Sequence, residues 1–474
     1  MTGTYLLDVI KALNPAERQE MALFLTSTHF NGGGNTNELI KLYKIILDAA
    51  PEFSDDLLSK ERVYFKIFSE RSMVSGKLEK LMADLNKHLR NYALIERYLS
   101  ENNEVDQQIN WATWLRERGL AERARQLMTK LKTQEQREKA ESLERHKLNF
   151  LFAEEQHLWE LNHNQAKGDL NIPNLVYRLD LFYHIYRTEL ANRYLLQQKA
   201  TLLPEGDFSE TKADDYQSES ILLEISRKIF KVLQKGLPTA EEAYDLMQLL
   251  RSNEGSLSSQ TLDHFYAYLR NFCTLLINNG NIAFIPVLHQ INKDNLEDGY
   301  FFAFGKLPPH AYLNLVQVAI RAKEYDWAKK FSEAYKALIV GNDDDHFFYR
   351  INMAQCYFAE GNFDRALDSL PDAPSNSHNH HRVRRLELRI YYELNSDLLL
   401  FKLDAFRKFI ERTAPKTLPA NIREMDLNFL NILLQISQSP PKDKARSVRL
   451  VKRIEEKKLL ADRSWLLEKA RALG

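Results

Sequence analysis

Apolar residues recur at three- and four-residue steps over most of the 474-residue chain, the period of helices that bury one face. Tyr5 to Leu13 predicts a short amphipathic helix. Asn14-Pro15 then sets a capping residue before a proline at the first helical position, a start signal for AERQEMALFLTS, which ends near Asn31-Gly32-Gly33-Gly34. NELIKLYKIILDAA predicts a third helix stopped by Pro51, and a fourth is expected from about Asp55 to Arg71. A fifth, Ser75 to Ser100, has Leu78, Leu81, Met82, Leu85, Leu89, Tyr92 and Leu94 near one face.

Residues 105–202 read as long charged helices, with two meeting at Gly119 and others over LERHKLNFLFAEEQHLWEL and LVYRLDLFYHIYRTELANRYLLQQ. Residues 203–219, LPEGDFSETKADDYQSE, are acidic and lack a period, so they predict a linker or loop. The chain therefore divides into an N-terminal helical module (1–104), a long-helix region (105–202), that linker, a hairpin region (220–440) and two basic capping helices (441–474). In the last of these, Trp465, Leu466 and Leu467 are placed to cover an apolar face.

The hairpin region repeats itself. Residues 313–328 and 351–366 match at an offset of 38, pairing Asn314-Leu315-Val316-Gln317 with Asn352-Met353-Ala354-Gln355 and Tyr325-Asp326-Trp327-Ala328 with Phe363-Asp364-Arg365-Ala366. In the second copy Ala354, Tyr357, Gly361, Phe363, Ala366 and Leu370 occupy small, aromatic, turn, aromatic, small and apolar positions. This copy resembles the tetratricopeptide repeat, a helical hairpin that buries its apolar faces by stacking on its neighbours. The first copy has Lys323 at the turn glycine and Ala319 at the aromatic position. Weaker copies turn at Gly280 and near Asn395-Ser396, the latter with Arg389 where a small residue is expected. The rest of the chain resembles uncharacterised bacterial helical proteins. The resemblance implies an all-α fold, an N-terminal bundle followed by an α-solenoid of tetratricopeptide-like hairpins.

Composition supports helices. Gly and Pro number 16 and 14, each roughly 3% against usual values of about 7% and 5%, so tight turns are few. Lys plus Arg and Asp plus Glu are equal at 65, leaving no global field for nucleic acid or membrane. Cys273 and Cys356 sit in apolar stretches and read as core residues of a reducing, cytoplasmic compartment. No apolar run approaches the roughly 18 residues a membrane helix needs.

Candidate chemistry is sparse. Glu154-x-x-His157 and Glu160-x-x-His163 have a di-metal spacing but lie on one helix about 240° apart, so they cannot share an ion. His378, His380 and His381 read as a polar loop, and Asp343-Asp344-Asp345 as a cap for a helix starting near His346. Gly76-Lys77 has no glycine-rich loop before it and Leu78 after it, so it reads as a helix start. No cofactor, metal or catalytic constellation is expected, and the chain reads as a binding protein rather than an enzyme.

Two surfaces remain. Asn314, Gln317, Asn352 and Gln355, with Phe348 and Phe358 as apolar anchors, are expected to line a groove for a peptide or protein partner, since amides donate and accept. The alternative is a transcription regulator. Residues 60–98 hold about four more basic than acidic side chains, and a helix ending at Phe68 followed by one bearing Lys77, Lys80, Lys87 and Arg90 resembles a helix-turn-helix.

Overall fold

The structure is a computed structural model that describes residues 3–27, 35–54, 56–99, 104–137, 140–163, 170–201, 216–302, 305–339, 346–372, 377–414, 417–440 and 442–474. Among these there are 22 α-helices and no strand, with helix over 77% of the chain. That is more than twice the third typical of globular proteins. The fold is all-α, and it divides into two compact units, residues 1–139 with 144–183 and residues 140–143 with 184–474.

The first unit opens with α1 (Tyr5–Ala12), α2 (Pro15–Thr26), α3 (Thr36–Asp48), α4 (Lys60–Ile67) and α5 (Lys77–Leu99). Asn14 and Glu17 form the reciprocal cap expected of the start signal, each accepting the other's backbone N–H. Leu7, Ile10, Met21, Leu42, Ile46, Val63, Tyr64 and Leu85 share one core. The α5 stripe from Leu78 to Tyr92 is buried as its period requires, but Leu94 is exposed. Two residues beyond Tyr92, at about 100° per residue, it lies on the opposite side of the helix. Then come α6 (Glu104–Glu117), α7 (Ala121–Arg137) and α8 (Leu143–His163). α6 and α7 meet at Gly119, whose positive φ closes the turn. The glycines at 32–34 and most of the acidic segment 203–219 lie outside the described residues.

Helix α9 (Ile172–Thr201) gives its first part to the first unit and the rest to the second. There Asn192 donates to the Ser226 carbonyl at 2.8 Å, and Glu189 accepts from Tyr268, which ties the end of α9 to α10 (Ile221–Lys235) and α12 (Ser259–Asn278). Between these two lies α11 (Ala240–Ser252). Glu141, from the segment 140–143, accepts from the Ser220 hydroxyl at 2.6 Å and the Leu222 amide at 3.3 Å, holding the start of α10.

The hairpins follow in order. α12 pairs with α13 (Phe284–Glu297), α14 (Pro309–Arg321) with α15 (Tyr325–Tyr335), α16 (Phe347–Ala359) with α17 (Phe363–Ser369), α18 (Ser377–Glu393) with α19 (Leu399–Arg412), and, after α20 (Ala420–Ser437), α21 (Lys444–Glu456) pairs with the helix that follows it. α22 (Arg463–Ala472) closes the unit. Among the described residues, cores are shared between neighbouring hairpins. Leu296 of α13, Val316 of α14, Phe331 of α15 and Cys356 of α16 share a cluster. Leu313 of α14, Ala354 and Ala366 of the next hairpin, and Val383 and Ile390 of α18 share another. A third joins α18 to α22 and includes Trp465 and Leu466, with Leu467 packed at its edge, so the last helix covers the apolar face as expected. A hairpin that leaves one face apolar is stable only against its neighbours.

One turn joins the two helices of four hairpins, and the same turn closes α6 at Gly119 and α13 at Gly299. The N–H groups of Gly280, Lys323, Gly361 and Asn395 each donate three residues back, and those of Asn281, Glu324, Asn362 and Ser396 each donate five residues back. This double bond satisfies the last carbonyls of a helix and needs a left-handed residue, here at φ 96°, 63°, 78° and 48°. Glycine adopts that conformation freely, whereas an L side chain costs about 1–2 kcal/mol. Lys323→Gly is therefore expected to raise stability by about 0.5–1 kcal/mol, the strain relief exceeding the entropy gained by the unfolded chain. Gly361→Ala should cost about 1 kcal/mol through the backbone alone, because an added Cβ meets no atom within 4 Å. Urea midpoints check both; a destabilised Lys323→Gly would show that the lysine is not strained.

Candidate functional site

The basic residues of the N-terminal module come first. Lys80, Lys87 and Arg90 are exposed on one side of α5, but Lys77 is not free. Its ammonium pairs with Glu70 and lies 4.3 Å from the centre of the Phe68 ring. Glu70 also accepts from the Tyr64 hydroxyl, and Tyr64 accepts from the Val74 amide at 3.0 Å. The Lys77 hydrogen bond comes first in holding the Glu70 carboxyl below its usual range, with the Tyr64 hydroxyl adding to it. These contacts fasten a connection that runs over residues 68–76, longer than the three to four residues of a helix-turn-helix. An ordered loop thus separates α4 from α5 where the sequence predicts a short turn.

The amide set is divided by the structure. Asn314 is exposed on α14, and Gln317 and Gln355 are half-buried. Asn352 is 0% exposed, and its Nδ2 donates to the Tyr312 carbonyl at 3.4 Å. The offset of 38 is right for the turns, yet it pairs an exposed asparagine with one that locks α16 onto α14. Asn352 is thus unavailable to a partner. Phe348 packs into the cores on both sides of α16. Phe358 lies 5.5 Å from Phe363, with the Arg389 guanidinium 4.3 Å from its ring. Neither phenylalanine is an open anchor.

Arg389 marks what the sequence register misplaced. Counted from the turn at Asn395, the small position falls on Leu388, which is buried, and Arg389 stands one step on. Its Nη1 donates to Asp462 at 2.9 Å, and its guanidinium also lies 5.5 Å from the Trp465 ring. One helical turn earlier, Arg385 donates to Asp426 at 2.9 Å and reaches Asp462 at 3.5 Å. Asp426 is 0% exposed, and His381 Nδ1 lies 2.6 Å from its other oxygen. Arg382 adds a third guanidinium, and burial pulls its pKa down, with Arg385 adding to that effect. A charged network thus joins α18 to α20 and α22. The signal available in the sequence was the spacing of Arg382, Arg385 and Arg389 on one helical side.

A second buried carboxylate joins α9 to α12. Glu189 accepts from Tyr268 at 3.0 Å, from Arg193 at 3.1 Å and from His264. Burial pushes its pKa up, but the hydrogen bonds, that of His264 foremost, outweigh burial and hold it below the usual range. A depressed folded pKa means stability that is present above the unfolded value of about 4.3 and is lost as pH falls through the folded one. Glu189→Gln is expected to cost about 2 kcal/mol at pH 7, and the difference from the parent should close below about pH 4. Urea melts across pH 3–7 check this; a pH-independent gap would assign the loss to shape rather than charge.

The remaining candidates settle quietly. Burial pushes both cysteine thiols up to about 12, so neither is poised as a thiolate. His157 Nδ1 lies 2.7 Å from the Leu170 carbonyl and Glu154 is exposed, while the side chain of His163 and residues 343–345 lie outside the described residues. The histidine run is not a loop. It opens α18, where His380 stacks 3.8 Å from Phe409 and His381 packs on Phe406; the side chain of His378 lies outside the described residues. Among the described residues no group of three or more metal-ligating side chains converges, and no helix is long and apolar enough to cross a membrane.

What the fold defines is an all-α protein of helical hairpins packed on their neighbours. No family model, curated protein or solved structure matches this chain.

Proposed function

We propose that the protein is an interaction scaffold whose tetratricopeptide-like hairpins form an α-solenoid that holds a peptide or protein partner. The observation that carries this reading is the turn repeated at Gly280, Lys323, Gly361 and Asn395. The last two turns stand 34 residues apart, the usual length of a tetratricopeptide unit. Stacked units of one geometry bring equivalent side chains into a column. Six residues before successive turns stand Thr274, Gln317, Gln355 and Arg389, all polar and none buried. A column of this kind suits the polar main chain of an extended segment, because amides donate and accept along it.

The test is capture from native extract on immobilised protein, followed by titration of the captured partner. The double variant Gln317→Ala and Gln355→Ala is expected to weaken binding about tenfold, two hydrogen bonds at about 0.5–1.5 kcal/mol each. Its melting temperature should stay unchanged, since both side chains lie outside the buried cores. Lys80→Glu with Lys87→Glu should leave the partner bound. Loss of binding in the lysine variant alone, with a steep salt dependence, would favour a nucleic-acid complex and overturn the proposal.

A further inference from the structure

Helix α6 turns two tryptophans outward. It buries Ile109, Ala112 and Leu115 on one side. On the other, Trp111 and Trp114 are 49% and 40% exposed, and their rings stack at 4.8 Å with 19° between the planes. The guanidinium of Arg118, just past the end of α6, lies 3.8 Å from the centre of the Trp114 ring. A tryptophan pair in water is the composition of an interface core rather than of a solvated helix. The stripe runs in steps of three and four residues through Glu104, Gln107, Trp111, Trp114 and Arg118, which keeps it on one side. Its ends carry opposite charge. Glu104 and Arg118 are both exposed, and each stands seven residues, about 10.5 Å, from Trp111. The ion pairs of this region, Arg116 with Glu155 and Arg125 with Glu122, use neither. Glu117 lies about 120° round the helix from Trp111, off the stripe.

We propose that this stripe pairs with the same stripe of a second copy of the chain, the two α6 helices antiparallel about a two-fold axis at Trp111. Each Glu104 then stands level with Arg118 of the partner subunit, and the four indoles meet in the middle. A two-fold contact is self-complementary, so opposite charges at the two ends of one stripe give two salt bridges. A parallel pairing would set like charges level instead. Tryptophan is the residue type most enriched among those that carry binding energy at interfaces, which suits the centre of the stripe. A nucleic-acid single strand also stacks on indoles but needs a positively charged groove, whereas this stripe holds one cation and one carboxylate. The stripe lies in the first unit, and the column of Gln317 and Gln355 lies in the second, so either can fail without the other.

The experiment is sedimentation equilibrium on the full chain from about 1 to about 100 µM. The parent is expected to approach twice the 55.5 kDa of one chain, with a Kd of about 10 µM as a small interface allows. Trp111→Ser with Trp114→Ser should weaken dimerisation by about tenfold or more. Glu104→Arg and Arg118→Glu should each weaken it by about tenfold, because each sets like charges level at both ends. Mixed in equal amounts, these two charge variants should pair with each other about as tightly as the parent does, since the mixed dimer restores both opposite pairs. Circular dichroism melts should match the parent's for every variant, because all four positions are exposed. A parent that stays monomeric across that range, a tryptophan variant that dimerises like the parent, or charge variants whose mixture stays monomeric overturns the proposal.

Discussion

Replacing Ala366 by Phe is expected to destabilise the second unit by about 3 kcal/mol or more, while Asp364→Ala changes stability by less than about 0.5 kcal/mol. Ala366 is fully buried where α17 crosses α16, and Ala354 is fully buried in the same cluster. Two methyl side chains let the helix backbones approach, and a phenyl ring has no room without separating them. Because the cluster also holds Leu313, Val383 and Ile390, that separation disturbs the hairpins on both sides. Asp364 is exposed two residues away. Urea midpoints of the two variants check the register. Equal midpoints would mean that Ala366 does not stand at a helix crossing.

The second large effect belongs to Asp426. Its carboxylate is fully buried between Arg385 and His381. Asp426→Ala removes the anion and leaves a guanidinium and an imidazole facing a void, and the expected cost is about 3–5 kcal/mol. Asp426→Asn keeps the shape and one acceptor, so it should lose less. The comparison separates charge from packing in equilibrium unfolding. If the alanine variant unfolded at the parent's denaturant concentration, the network would be incidental to how α18, α20 and α22 are joined.

The parts of the fold legible in the sequence are those that depend on local period and turn chemistry. The α5 stripe, the cap at Asn14, the turn at Gly119 and the turns at Gly280, Gly361 and Asn395 follow from rules that act within a few residues. What stayed hidden depends on which neighbour a side chain meets. Asn352 looks like Asn314 in the repeat, yet only Asn352 meets the Tyr312 carbonyl and is sealed by it. Phe358 reads as a groove anchor until Arg389, from the next hairpin, covers its ring. His380 and His381 look like a polar loop because their partners, Phe409, Phe406 and Asp426, are remote in sequence. The loop 68–76 resembles a helix-turn-helix linker because the Tyr64–Glu70–Lys77 contacts that shape it leave no periodic trace.

The central claim is that the second unit is a stack in which each hairpin is held by its neighbours. Hydrogen exchange on the Ala366→Phe variant tests it most directly, because a stack transmits damage between adjacent units rather than everywhere at once. Protection should fall in α16 and α17, fall less in α14 and α18, and remain at the parent level in α10 and α11, residues Ile221–Lys235 and Ala240–Ser252. Uniform loss across all of these helices would show a single cooperative core and contradict the account.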